Sequence, residues 1–124
     1  MILSININSQ PSIAANPSAD IVDEVVKCFK TADTKELAKY FASTVSMSLR
    51  NEEGVYSKVQ TEIILREFIN RNTPKEISIV HRLDSNPNFR YVVFNMETEH
   101  NKYRVSFKLI SENSVFKMTE LRIE

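Results

Sequence analysis

His81 is the residue in this chain best suited to acid–base chemistry, because an imidazole titrates near pH ~6.5 and can give or take a proton under ordinary conditions. It falls in step with Ile77, Ile79 and Leu83. Strict strand alternation therefore puts it on the face that these aliphatics turn toward the helices. Tyr40, Tyr91 and Tyr103 could add hydroxyls to the same space, and one histidine among phenols suits a small cofactor-independent lyase or isomerase. The plainer reading is packing, since an aromatic at core spacing is a large apolar surface with one polar handle. Catalysis also wants a second ionisable group beside the first, and the residues in step with His81 are all aliphatic. His81 is thus expected to be structural, with Tyr40, His81, Tyr91 and Tyr103 as the residues that would line a ligand cavity.

Other reactive types are sparse. Glu97, Glu99 and His100 gather at one hairpin end, but no second histidine stands at ligand spacing, so a solvated strand end is expected and no metal site. Cys28 is the single cysteine; it has no disulfide partner and reads as a small buried apolar residue. Gly54 is the single glycine, which removes the glycine-rich loops that cradle phosphates. No cofactor is expected.

Sixteen basic residues balance sixteen acidic ones among 124, and neither sign forms a run, so no nucleic-acid partner is expected. That length suits one domain. No stretch approaches the ~20 apolar residues that span a bilayer, so no integral membrane segment is expected. Residues 1–17 read as a flexible leader or the tail of a signal peptide, with aliphatics at Ile2, Leu3, Ile5 and Ile7 but no positive charge before them. The domain is assigned to 18–124.

Periodicity places the candidates on elements. Asn16 or Ser18 as N-cap and Pro17 announce a first helix, with Ile21, Val22, Val25, Val26 and Phe29 on one face and Lys27 and Lys30 in its last turn. Asp33 and Glu36 cap a short second helix carrying Leu37, Tyr40 and Phe41. A strand through Val45, Met47 and Leu49 closes on turn chemistry at Asn51–Gly54. Ser57 and Gln60 form a capping box for a third helix to about Asn70, with an apolar stripe of Val59, Ile63, Ile64, Leu65, Phe68 and Ile69. Four strands follow, 77–83, 89–98, 102–110 and 115–123, joined by hairpin-length loops into an antiparallel meander.

That order, α-α-β-α-β-β-β-β, is α+β with a curved antiparallel sheet against three helices, and it resembles the nuclear-transport-factor-2-like (cystatin-like) cone. Glu53-Gly54-Val55-Tyr56-Ser57-Lys58, then Gln60, Leu65 and Phe68, His81, Tyr103-Arg104-Val105 and Leu121-Arg122-Ile123-Glu124 resemble a bacterial family, domain-of-unknown-function family 4783. The resemblance spans about Ile21 to Glu124. It departs at Ala32-Asp33, where a glycine is usual, and at Thr73-Pro74, where two prolines are common. The resemblance implies the cone fold and export to the periplasm or cell envelope; the incomplete signal peptide keeps the cytoplasm as the alternative. It implies no activity.

Arg90 to Met96 carries large apolar groups on both alternating faces, Tyr91 and Val93 on one, Val92, Phe94 and Met96 on the other. One face packs on helices and the other wants a cover, so a homodimer is expected, with Val92, Phe94 and Met96 as the interface. The expected function is a small binding or assembly module whose cone is open to a small apolar ligand; the alternative is the lyase or isomerase using His81.

Overall fold

The computed structural model describes residues 20–124. The leader expected over 1–17 and the capping candidates Asn16, Pro17 and Ser18 lie outside the described residues.

Asp20 is the cap seen on α1 (Ile21–Lys30), where its carboxylate accepts from the Asp23 N–H at 3.4 Å. Val22, Val25, Val26 and Phe29 are buried on the inner stripe, as their spacing predicts, while Lys27 and Lys30 sit at the negative end of the dipole. The helix stops in a Schellman motif: Asp33 N–H reaches Cys28 O at 2.9 Å and Ala32 N–H reaches Phe29 O at 3.1 Å. Ala32 holds a left-handed φ of 57° there. Asp33 then caps α2 (Thr34–Ala38) through the Glu36 N–H at 3.1 Å. Phe41, expected on α2, instead opens β1 (Phe41–Leu49).

One strand went unread in the sequence. β2 (Glu52–Ser57) pairs antiparallel with β1 across a turn at Arg50 and Asn51, where Arg50 takes φ 57°. Gly54 is therefore a strand residue opposite Met47, and a Cβ on it would lie 2.8 Å from the Tyr56 ring. With Glu52, Glu53 and Gly54 at its start the segment has no apolar alternation to announce it.

The expected capping box holds at the start of α3 (Lys58–Arg71): Ser57 N–H donates to Gln60 Oε1 at 3.0 Å and Gln60 N–H to Ser57 Oγ at 3.1 Å. Its inner stripe is narrower than the sequence implies. Thr61, Leu65, Phe68 and Ile69 are buried, whereas Val59 is 68% and Ile63 39% exposed. Thr61 fits the interior because its hydroxyl donates to Ser57 O at 2.8 Å.

The meander follows as expected, β3 (Glu76–Leu83), β4 (Phe89–Glu97), β5 (Lys102–Glu112) and β6 (Val115–Ile123), each antiparallel to the next. β6 then lies parallel to β1, giving one six-stranded sheet in the order β2-β1-β6-β5-β4-β3. Register shifts interrupt β1/β6, β5/β6 and β3/β4, and such bulges bend and twist a sheet. The α+β class and the curved sheet against three helices are those the sequence implies. At the centre Phe29 meets Phe94 edge-on at 5.1 Å, and Phe107 lies 6.4 Å from each. Such ring pairs add to the area they bury.

Candidate functional site

β4 decides which face of the sheet is available. Its Val92, Phe94 and Met96 are fully buried in the core under α1 and α3. They cannot form the expected dimer interface without unfolding the domain. The outward residues of the same strand are Tyr91, Val93 and Asn95, each half-buried.

β3 redirects the expected cavity residues. Ile77 and Ile79 stand opposite Met96 and Phe94, on the inner face, but the register shifts between Ile79 and His81 and leaves Val80 as an extra residue. Beyond it the faces exchange. His81 stands opposite Val93 on the outer face, exposed, and Leu83 opposite Tyr91. Arg82 takes the inward place opposite Val92 and pins the strand to α1, donating to Asp20 at 2.7 and 3.0 Å and to Asp23 at 3.4 Å, with Asp84 at 3.0 Å on its Nε. Sequence reasoning missed Arg82. The signal for it was the adjacent pair Ile79-Val80, which breaks the alternation.

Tyr40 and Tyr103 lie elsewhere. The Tyr103 hydroxyl donates to Asn72 Oδ1 at 2.8 Å, and Asn72 Nδ2 donates to Phe68 O at 2.9 Å, so this buried phenol closes the C-terminus of α3. The Tyr40 hydroxyl donates to Glu24 Oε1 at 2.9 Å, and burial followed by that carboxylate pushes its pKa up to about 12. It stays a neutral donor. Of the four expected cavity residues only His81 and Tyr91 come together, diagonally on the outer face. The lyase or isomerase reading required His81 in the cone, and the bulge at Val80 takes it out.

The remaining reactive groups are placed plainly. His100 Nε2 lies 3.7 Å from Glu99 Oε1 at an exposed hairpin end, and among the described residues no three metal-ligating side chains gather. Cys28 is buried, and burial, then the Asp33, Glu36 and Glu24 carboxylates, push its thiol up to about 11. It is no thiolate nucleophile near neutral pH.

What the outer face does carry is an island of Leu83, Tyr91 and Val93 with His81 beside it. Across β5 the opposing residues are Lys108 and Ser106, and Lys108 pairs with Glu120 of β6 at 3.5 Å. Apolar centre and charged rim is the anatomy of a contact surface.

The model of a domain of unknown function, DUF4783, matches residues 22–124. The chain belongs to the DUF4783 family. Solved DUF4783 structures share its architecture. The protein from Bacteroides uniformis is 18% identical with a TM-score of 0.80, covering 85% of this chain and 96% of that one. The protein from Bacteroides fragilis is 19% identical with a TM-score of 0.77, covering 84% and 97%. A designed nuclear-transport-factor-2-like protein with a long sheet is 20% identical, TM-score 0.66, covering 82% and 94%. Identities this low carry the fold and no activity. Among curated proteins none matches the sequence.

Proposed function

We propose that this DUF4783 domain is a non-enzymatic assembly module that works as a homodimer through the outer face of its sheet. The observation that carries the reading is the Leu83, Tyr91 and Val93 island, apolar and outward-facing, two of its three residues on β4, whose inner face is already buried. A second copy of the same patch is the simplest cover for it, since a two-fold axis through one patch satisfies both copies at once. Phe29, Phe94 and Phe107 occupy the middle of the inner face, which favours recognition at the surface over a ligand held in the cone.

Sedimentation equilibrium tests this at micromolar concentration. The wild-type chain is expected at twice the chain mass, and Val93→Asp at the chain mass with an unchanged circular-dichroism spectrum. A wild-type chain that stays monomeric to ~100 µM, a concentration at which even a weak specific dimer is populated, overturns the proposal.

A further inference from the structure

We propose that the open edge of β3 is a docking site for an extended peptide segment of a partner protein, one that carries both aliphatic and acidic side chains at every second position, on its groove-facing side. β3 is the last strand of the sheet, so one row of its backbone N–H and C=O groups has no ladder partner. Such edges are ordinarily blunted with lysine, proline or a bulge. Glu76 to Ile79 carries neither residue, and the bulge comes only after it. Ile79, Val80 and Leu83 are left 42%, 49% and 43% exposed.

Beside this edge lies α1, and between the two run hollows of about 440 and 280 Å³ that share Lys30 and Ile77 and so form one groove. Val26, Ile77 and Ile79 give it an apolar floor, and Lys27, Lys30 and Lys75 outnumber Glu76 along its rim. Asp23, at one end, is held by Arg82 at 3.4 Å. No ion pair links Lys27, Lys30 or Lys75 to a carboxylate among the described residues. A strand added at the ladder spacing of ~4.8 Å would drop every second side chain into the groove. Backbone bonds would supply affinity, and among the side chains on the groove side the floor would select aliphatic ones and the rim acidic ones.

The test is fluorescence anisotropy with the full chain and a labelled hexapeptide that has glutamate, valine and valine at its first, third and fifth positions and serine between them. Binding is expected to weaken about tenfold or more, equivalent to ~1.4 kcal/mol, in Ile79→Lys, whose unchanged thermal midpoint shows the fold intact. It should weaken as much when alternate peptide nitrogens are methylated, because the backbone bonds are then lost. Lys27→Glu with Lys30→Glu should turn the preference toward the same hexapeptide with lysine in place of its glutamate. The proposal fails if the peptide does not bind at millimolar concentration, if Ile79→Lys and the methylated peptide bind as well as the originals, or if Ile79→Lys instead lowers the chain's own oligomeric mass, which would make a second copy the occupant.

Discussion

Strands β4 and β3 lie side by side with similarly aliphatic sequences, yet β4 alternates without interruption from Phe89 to Glu97 and β3 exchanges its faces at Val80. β4 has neighbours on both edges and buries Val92, Phe94 and Met96 completely. β3 has one neighbour, and the inward-facing Ile79 remains 42% exposed. Apolarity becomes burial only where other elements close over it. At an edge it becomes surface, and one inserted residue there decides which side chain meets the helices.

The comparison breaks most sharply at paired positions. Phe94→Ala is expected to cost about 3–5 kcal/mol, the range for a large core truncation, while Ile79→Ala, its cross-strand partner, should cost under about 1 kcal/mol, since half its surface is already wet. Chemical denaturation of the two variants measures the contrast, and equal losses would erase it. Deleting Val80 would remove the extra residue and leave His81 opposite Val93 and Arg82 opposite Val92, so Arg82 keeps its contacts with Asp20 and stability should fall by less than about 1.5 kcal/mol. A loss of several kcal/mol in a thermal melt would mean that Val80 is not a surplus residue and that the register beyond it is set otherwise.

Arg82→Met should cost about 1 kcal/mol, because the Nη2 contacts with both Asp20 oxygens are only partly shielded from water, and the loss should shrink at high salt. His81→Gln should change stability by less than about 0.5 kcal/mol, as for an exposed residue away from any packed feature. A loss of several times that would place His81 in the interior.

These contrasts also mark what the sequence makes legible. Local signals survive folding: the Ser57 and Gln60 capping box, the α1 stripe and the hairpin-length loops of the meander all depend on residues a few positions apart. Long-range partners do not show. Asp20 and Arg82 are 62 positions apart and Asn72 and Tyr103 31 apart, and nothing in either neighbourhood names the other. β2 hides because an edge strand needs little apolar content, and the dimer face expected at Val92, Phe94 and Met96 fell on the wrong side because both faces of β4 are apolar and alternation alone cannot say which one the helices cover.

The outward face of β4 as an assembly surface is tested most directly by a photoreactive benzoyl-phenylalanine at position 91, compared with one at position 63 on the exposed side of α3. The account predicts a covalent dimer after irradiation from position 91 and monomer from position 63. Monomer from both, or equal dimer yields from both, would contradict it.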